Sequence, residues 1–408
     1  MSSYSCGGDY ESANPCEPAD VSQTLLGPIL IRYATIHGFQ VRFDTQLIRT
    51  KYLSGADGAQ SQVVKQLDLP LNRKPGQGVP LNIHVKVDLS HMVDARQGNL
   101  HWVMQPDREH PVFGWLGVVR MVKPWDERIF ILLPNRGCNW FINETVAEKY
   151  CHGNIHCLGD AVHRHPPFNV AYGHRGLAPG SLLDTYSVDR QPDALGTLPT
   201  NVEARREMFQ ELKSPTPDGI ERRKRLRDAI TQTSHELHGL AVEMGQRYQG
   251  RGIYDAGEPE AYSPPGRAAE NDVLYYEPSI YPGCRLPHVW LNTTVPSTPV
   301  STIDLVGQGQ FVLLTGIGGD FRRNAAEHAQ AQLGVPLKVY SIGFRQQWED
   351  FYFDWQRICG VDDSSAVLVR PDRFLAWRAK RVVDNVDSCS EKLIAVMKSI
   401  LGFSESEE

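Results

Sequence analysis

The sequence predicts a mixed fold, α/β with α+β character, and three patterns in its 408 residues support this class. Helical periodicity near residue 22 gives way to short strand-like runs, residues 79–134 alternate apolar and polar side chains, and the C-terminal part alternates strands with helices. A chain of this length can bury two or three cores. We therefore expect a first region at 1–200, with a β-rich sheet at about 79–134, a helical segment and linker at 201–287, and a C-terminal domain at 288–408.

The composition excludes several classes of protein. Hydrophobic residues make up 41% and charged residues 22%, as in ordinary globular proteins, and a formal net charge of -6 gives no reason to expect nucleic acid or an anionic membrane as partner. The eight cysteines include no Cys-x-x-Cys pair, so neither a disulfide framework nor a zinc ribbon is expected. The first residues form no secretory leader, and no segment has the apolar length to cross a bilayer. We expect a cytoplasmic protein that binds a small molecule, with no nucleic acid and no membrane as partner.

The first periodic element is an amphipathic helix that begins near Ser22 and that Gly38 ends. Its apolar residues recur at helical spacing: Leu25, Leu26, Ile29, Leu30 and Tyr33. The alternation at 39–43 predicts a strand directly after this helix, and a second short strand is expected at 51–54. A Gly-rich turn follows, and then a helix with apolar side chains on one face: Val63, Val64 and Leu67.

Two longer regions differ from the rest in their residue pattern or composition. Runs such as Leu81–Val87 alternate strictly, so the region around them is expected to form an antiparallel sheet. Between Gly250 and Pro287 the chain is rich in Pro and Gly, which predicts a linker or an extended arm. In the C-terminal part we expect strands at 301–305, 311–315, 337–339 and 366–370, and helices at 324–332 and 389–401.

Two Gly-Asp turns are the most informative motifs. The first is Gly55-Ala56-Asp57-Gly58-Ala59 after a short strand, and the second is Gly159-Asp160-Ala161 after an apolar run. Either one alone predicts a tight turn, in which Asp accepts backbone hydrogen bonds and Gly adopts a positive φ. Together, in this order and separated by a β-rich segment, they are far more specific.

Other motifs point to plainer structures. No G-x-G-x-x-G fingerprint occurs near the N-terminus, and Gly316-Ile317-Gly318-Gly319-Asp320, which follows a strand, favours a turn over a nucleotide loop. No G-x-S-x-G nucleophile elbow is present. No metal is expected, because the spacings of a local group of cysteines and histidines do not match a structural zinc site: Cys151, His152, His156, Cys157, His163 and His165.

These motifs resemble the FAD-dependent aromatic hydroxylases of the phenol 2-monooxygenase and dichlorophenol hydroxylase type, in particular fungal members. The resemblance is carried by Tyr52–Ala59, Gly159–Pro167, Leu183–Pro192 and Val367–Asp372. It implies a flavoprotein-hydroxylase fold for FAD and substrate, followed by a thioredoxin-like C-terminal domain. It also implies that NADPH reduces FAD, that O2 adds to the flavin, and that the flavin hydroperoxide hydroxylates a phenolic ring, in aromatic degradation or in secondary metabolism.

The same resemblance implies roles for the motif residues. Asp160, beside Gly159, would hydrogen-bond the ribitol or pyrophosphate region of FAD. Pro166 and Pro167 would lie against the isoalloxazine ring. Asp57, beside Gly58, would help to hold both the flavin and the nicotinamide nucleotide.

Two further expectations concern the rest of the chain. The C-terminal module has no Cys-x-x-Cys pair, so its implied role is structural, as the contact of a homodimer. No catalytic residue is assigned, because the sequence places none of the available side chains beside a ring: Tyr150, Arg128 and His101.

Three parts of this family's sequence pattern are not found in the chain. These are the first βαβ unit with its Gly-rich loop, a segment between Cys138 and Trp140, and the Gly-x-Gly-x-Asn turn expected after Asn169. An alternative prediction follows from them, namely a truncated, non-catalytic remnant or interaction scaffold that does not bind FAD. A third is a flavin-free enzyme acting on a polyketide-like phenol.

Overall fold

The computed structural model describes most of the chain, and the structural statements below concern only those residues. They are residues 12–16, 21–46, 49–74, 81–93, 100–104, 113–123, 126–134, 144–164, 212, 214–232, 240–270, 275–360, 363–380 and 386–403. Helices and strands both occur among them, so the predicted mixed α/β class is confirmed. None of the described helices is both long and apolar enough to cross a membrane.

The elements are numbered in chain order. The strands are β1 (Leu53–Gly55), β2 (Leu71–Lys74), β3 (Leu81–Lys86), β4 (Leu100–Met104), β5 (Phe113–Lys123), β6 (Glu127–Pro134), β7 (Glu144–Ala147), β8 (Cys151–His152), β9 (Ile155–Cys157), β10 (His163–Arg164), β11 (Trp290–Leu291), β12 (Val300–Ser301), β13 (Phe311–Thr315), β14 (Leu337–Ser341), β15 (Ala366–Val369) and β16 (Leu375–Ala379). The α-helices are α1 (Gln23–Ile36), α2 (Gln62–Gln66), α3 (Ser90–Val93), α4 (Pro217–Gln232), α5 (Leu240–Met244), α6 (Thr302–Leu305), α7 (Asp320–Leu333), α8 (Asp354–Cys359) and α9 (Val386–Leu401).

Helix α1 forms where the periodicity predicts it. It ends at Ile36, and its cap residue His37 precedes Gly38, whose φ is +85°. None of its residues is buried. The strand predicted at 39–43 is wrong, because these residues form no strand and no described strand pairs with them. Alternation alone does not make a strand, since the backbone N–H and C=O groups also need a partner.

Two small sheets build the unit that carries the Gly-Asp turns. One has the strand order β1–β9–β8, with β1 and β9 parallel, and the other has the order β10–β7–β2, with all neighbours antiparallel. Helix α2 packs against them. Their shared core consists of Val64, Leu69, Val146, Ala147, Tyr150, Cys157, Ala161 and Val162.

Strands β3 to β6, which lie between β2 and β7 in the sequence, form a four-stranded antiparallel sheet. Its strand order is β3–β6–β5–β4, which confirms the antiparallel sheet expected for this region. We call it the central sheet. Its longest strand, β5, pairs with both β4 and β6.

The C-terminal sheet has the order β14–β13–β15–β16. Strand β13 runs parallel to β14 and antiparallel to β15, and helices α7 and α9 pack on one face. This is the thioredoxin-like arrangement expected for the C-terminal domain. The opposite face is covered by residues that include Ile280, Leu286 and Leu291, so the sheet is buried on both sides.

The segment expected to be a linker or an arm lies along β16. Tyr254 N–H donates to the Ala376 carbonyl at 2.8 Å, and Gly283 N–H donates to the Leu375 carbonyl at 2.7 Å. Nearby, the guanidinium of Arg378 donates to both carboxylate oxygens of Glu258, at 2.7 and 2.6 Å. The core of the C-terminal part therefore includes residues that precede 288.

One predicted C-terminal strand is wrong. In the stretch predicted at 301–305 only Ser301 is extended, as the last residue of β12, and Thr302–Leu305 form the short helix α6. The cause is local, because Ser301 Oγ accepts a hydrogen bond from Ile303 N–H at 3.1 Å and caps the helix. The remaining predicted strands and helices of this domain are confirmed, with boundaries shifted by a few residues.

Candidate functional site

The two Gly-Asp turns lie side by side at one edge of a sheet. Strands β1 and β9 are parallel neighbours with Gly55 opposite Cys157, and Leu158 N–H donates to the Gly55 carbonyl at 2.9 Å. Each strand therefore enters its turn at the same edge. In open α/β sheets, ligands bind outside the carboxyl ends of the strands, so this edge is the candidate site.

Gly55 allows this close approach. A Cβ atom added there would lie 3.1 Å from Cγ1 of Val63 and 3.2 Å from Sγ of Cys157. Both contacts are tighter than almost all real Cβ contacts, so a side chain would push helix α2 away from β9. Glycines at Gly58 (φ +75°) and Gly159 (φ +60°) then provide the left-handed backbone that each turn requires.

The carboxylate of Asp57 is engaged by the start of helix α2. Its Oδ2 accepts from Gln62 N–H at 2.7 Å and from Val63 N–H at 3.2 Å, while Ser61 Oγ accepts from Val64 N–H at 2.9 Å. Partial burial acts to raise the pKa of Asp57, but the hydrogen bonds from Ser61 and the two backbone N–H groups outweigh it and lower the pKa overall. Asp57 and Ser61 together satisfy three of the first N–H groups of the helix.

Sequence reasoning missed Ser61. The pattern Asp57-x-x-x-Ser61 before an apolar run could have revealed this cap, because Ser and Asp are preferred at helix starts. The structure therefore gives Asp57 the structural role that a tight turn alone predicts. Its role toward the flavin and the nicotinamide nucleotide stays a prediction.

Asp160 has a different setting. It lies in a short 3-10 turn, Gly159–Ala161, that follows β9, and its side chain is exposed at the edge where the two turns meet. Ala161 and Val162 behind it are fully buried in the core. The turn therefore joins an exposed Asp160 to residues that are anchored in the core.

This edge fits the hydroxyl-bearing part of FAD. An exposed carboxylate accepts hydrogen bonds from sugar hydroxyls, and the neighbouring Gly159 carries no side chain. Asp160 and Gly159 are the residues that would hold this part of the cofactor. Pro166 and Pro167, expected against the isoalloxazine ring, lie outside the described residues.

The central sheet presents one mostly apolar face. Side chains of directly paired antiparallel residues share a face, so the strand registers define it. We call it the apolar sheet face, formed by Leu81, Ile83, Val85, His101, Val103, Val119, Met121, Arg128, Phe130 and Leu132. The opposite face combines polar residues, such as Asn82, His84 and Arg120, with apolar ones, which include Trp102, Val118, Ile129 and Ile131.

Arg128 and His101 are the two polar side chains of the apolar sheet face. Arg128 is 0% exposed, and its Nε, Nη1 and Nη2 atoms have no hydrogen-bond partner. His101 lies two strands away, about 10 Å across the sheet by the usual strand spacing. Mostly apolar walls with a few placed polar groups are typical of small-molecule sites.

The third available side chain lies elsewhere. Tyr150 is 1% exposed in the core of the small sheets, with its ring 5.8 Å from that of His163. Among the described residues, no group of three or more His, Cys, Asp or Glu side chains is arranged to hold a metal ion. The run Gly316–Asp320 forms a turn, in which the N–H groups of Gly316 and Ile317 donate to the carbonyls of Ser365 and Asp363.

Comparison with family models matches both parts of the chain. The FAD binding domain matches residues 44–136 and 134–174, a range that includes both Gly-Asp turns and the central sheet. The C-terminal domain of aromatic-ring hydroxylases matches residues 279–403.

Curated relatives match nearly the whole chain. The 2,4-dichlorophenol 6-monooxygenase of Delftia acidovorans is 33% identical over 486 aligned positions, covering 96% of this chain and 81% of the relative. The phenol 2-monooxygenase of Pseudomonas sp. (strain EST1001) is 30% identical, covering 92% of this chain and 74% of the relative. Because these relatives are named as monooxygenases, the matches favour the predicted hydroxylase over the alternative of a non-catalytic remnant.

A solved structure gives the same result for the fold. The flavin-dependent monooxygenase PieE, solved in complex with FAD and substrate, matches with a TM-score of 0.78 and 27% identity. The match covers 97% of this chain and 82% of PieE.

Proposed function

This chain belongs to the FAD-dependent aromatic-ring hydroxylases, and on that premise we propose that it adds one oxygen atom of O2 to a phenolic ring, with NADPH as the reductant. The observation that carries the proposal is the pair of Gly-Asp turns at the carboxyl ends of two parallel neighbouring strands. The names of the relatives support a phenolic substrate, since they act on a dichlorophenol and on phenol.

The bound flavin would supply the oxygen chemistry, and the protein would position the reactants. We propose that the Asp160 carboxylate accepts hydrogen bonds from FAD hydroxyls, with Gly159 supplying the turn that presents it. Asp57 and Ser61 would contribute indirectly, because they fix the start of helix α2 behind the same edge.

The apolar sheet face would form one wall of the substrate site. Its aliphatic and aromatic side chains would exclude water and contact the flat faces of a ring, while Arg128 and His101 would select its orientation. Excluding water also strengthens every polar interaction inside the site.

We further propose a division of labour along the chain. The region up to about residue 200 would bind cofactor and substrate, and the thioredoxin-like part from about residue 288 would serve a structural role, as the contact of a homodimer. The arrangement of residues 311–379 supports a structural role, because their strands are buried on both sides and the sequence there carries no Cys-x-x-Cys pair.

The proposal is tested by titrating purified full-length protein with FAD, followed by flavin fluorescence, and by assaying phenol-dependent NADPH oxidation and product. We expect tight FAD binding and hydroxylation by the wild type. The variant D160A should bind FAD at least about tenfold more weakly, the loss expected for hydrogen bonds to a charged group. Colourless protein that takes up no added FAD would overturn the proposal.

The variant D57A is the matched control for D160A. It removes a carboxylate from the neighbouring turn, and we expect its main effect to be a loss of about 1 kcal/mol of folding stability, typical of a lost helix cap. The variant D57N retains a side-chain carbonyl and should recover part of that stability. Urea unfolding of the three variants measures the difference, and equal FAD affinities in D57A and D160A would contradict the assignment of Asp160.

A further inference from the structure

A pocket in the C-terminal part of the molecule has no role in the proposed function. Its volume is about 310 Å³, and its lining comes from Arg267, from residues 275–278, 288–290 and 354–358, and from Ser12. We call it the C-terminal pocket. It shares no residue with the Gly-Asp turns or the apolar sheet face. Its volume lies at the lower end of the range for small-molecule sites in proteins.

Aromatic rings form much of the wall of the C-terminal pocket. The side chains of Tyr275, Tyr276 and Trp290 line it. The imidazole of His288 lines it as well and meets the indole of Trp290 edge-on, with the ring centroids 4.8 Å apart and the ring planes at 86°. Trp290 is 44% exposed, so the pocket is open to solvent at this residue. Rings of this kind pack favourably, by stacking or edge-on, against a planar aromatic ligand.

His288 gives the pocket a hydrogen-bond donor. Its Nδ1 lies 2.7 Å from Oγ of Ser301, and the same Oγ accepts from Ile303 N–H at 3.1 Å. Ser301 is 0% exposed, and the described residues give its hydroxyl no other acceptor, so this hydroxyl donates to Nδ1. Burial lowers the pKa of His288, although the charge of Asp304 opposes this, and the ring is therefore neutral at neutral pH. A neutral imidazole that accepts at Nδ1 carries its proton on Nε2, which is the donor it can offer to a ligand.

The charges of the lining balance one another. Arg267 and Arg357 are positive, whereas Glu277 and Asp354 are negative. Nη2 of Arg357 lies 2.6 Å from Oδ1 of Asp354, so these two side chains already form an exposed ion pair. With His288 neutral, the pocket has no net charge. An ion that entered it would lose water without meeting an excess of opposite charge, whereas an uncharged ring has no such cost.

We propose that the C-terminal pocket is a second ligand site, which binds an uncharged planar aromatic molecule whose hydrogen-bond acceptor receives Nε2–H of His288. The volume sets the size of this molecule. A cavity of about 150 Å³ holds a benzene ring, so a pocket of about twice that volume holds one ring or two fused rings. Trp290 and the two tyrosines contact the ring. The site is built without the Gly-Asp turns, so it fills with or without FAD.

The first test is calorimetric titration of the full-length protein without FAD, with 1-naphthol as the probe. This molecule has two fused rings and one hydroxyl oxygen, and it is uncharged at neutral pH. The variant W290A removes a wall of the pocket and should bind 1-naphthol at least about tenfold more weakly than the wild type. The variant F344A is the matched control, because Phe344 is 71% exposed and does not line the pocket, and its affinity should be unchanged. Equal affinities of wild type and W290A would overturn the proposal.

The second test concerns the charge of the ligand and its hydrogen bond. The anion 1-naphthoate has the same two rings as 1-naphthol and should bind more weakly, and tighter binding of this anion would overturn the assigned charge class. The variant H288F keeps a ring but has no donor, so it should weaken the binding of 1-naphthol. The variant H288Q can accept from Ser301 and donate to the ligand through its amide, and should retain most of the affinity. If H288F binds 1-naphthol as tightly as the wild type, His288 is not the donor and that assignment is wrong.

Fluorine NMR of protein labelled with 5-fluorotryptophan shows where the probe binds. The chain has eight tryptophans, and the resonance that is missing in W290F identifies Trp290. We expect this resonance to shift when 1-naphthol is added, whether FAD is absent or present. Shifts confined to other resonances, or shifts that require FAD, would place the probe in the proposed substrate site and overturn the inference. A protein that shows the Trp290 shift but takes up no FAD would instead leave the inference standing and overturn the proposed function.

Discussion

The central sheet and the C-terminal sheet each have four strands, but they differ in how they cover their surfaces and balance their charges. In the C-terminal sheet, every residue of β13 and β15 is buried, and Arg370 and Arg378 are paired with carboxylates. In the central sheet, Leu81 is 46% exposed and Arg128 is buried without an acceptor.

The two sheets differ in use: one forms a closed core, and the other has an apolar face that is partly uncovered. Residues 254–400 supply both layers that cover the C-terminal sheet and both partners of its ion pairs, so the sheet is complete within that segment. The apolar sheet face lacks both a full cover and a counter-charge among the described residues. This contrast supports the proposal that the apolar sheet face receives a ligand.

The largest expected effect concerns the pair between Glu258 and Arg378. Both side chains are mostly buried, so E258A leaves a buried cation and should cost about 3–5 kcal/mol in the free energy of unfolding. The exposed Lys380, which lies 3.5 Å from the same carboxylate, is the control, and K380A should cost less than about 1 kcal/mol. Urea unfolding measures both losses of unfolding free energy. Similar losses for E258A and K380A would contradict the view that the buried pair stabilises the C-terminal sheet.

The same pair predicts a dependence on pH. Burial alone would raise the pKa of Glu258, but the hydrogen bond and charge of Arg378, together with Lys380, lower it overall below its ordinary value of 4.5. A carboxyl whose pKa is lowered in the folded state adds stability above its unfolded pKa and loses it as the pH falls through the folded pKa. The gap in stability between wild type and E258A should therefore be full at neutral pH and shrink in acid.

A second prediction compares two leucines, one from each sheet. Leu368 is 0% exposed, so L368A should cost about 2–5 kcal/mol by leaving a cavity. Leu81 belongs to the half-covered apolar sheet face, and L81A should cost less than about 1 kcal/mol in the ligand-free protein. Chemical unfolding of both variants would sharpen the comparison, and a large cost for L81A would show that this face is already covered.

The smallest expected effect concerns thiol reactivity. Burial raises the pKa of Cys157 and of Cys284 to about 11, whereas Cys16 is exposed. Since the thiolate is the reactive form, an aromatic disulfide reagent should modify Cys16 rapidly and these two only after unfolding. Rapid modification of Cys157 in native protein would mean that β9 and helix α2 separate readily.

The sequence predicted those elements whose evidence is local. Strand β13 is a continuous apolar run, and both Gly-Asp turns contain the glycines that their backbone requires, so each was expected near its observed position. The strand expected at 301–305 failed because the cap at Ser301 competes with an extended backbone.

The candidate site could be predicted only in part, because its geometry depends on pairing. The sequence suggested Arg128, His101 and Tyr150 equally, and only the registers of β6 with β3 and β5 show which face Arg128 occupies. Tyr150 lies in the core of the small sheets, whereas the other two belong to the central sheet. No local pattern could reveal that the guanidinium of Arg128 has no acceptor, since this depends on every segment that surrounds it.

The pairing of β1 with β9 also bears on the order of folding. Leu53 pairs with Ile155, so closing this contact requires a loop of about 100 residues, with a large entropic cost. Strands β5 and β6 are joined by a few residues and can form a hairpin early. The edge that carries the two Gly-Asp turns would therefore assemble late, after the central sheet has brought the turns close together. Folding rates should respond more to changes in the β5–β6 hairpin than to changes in the turns.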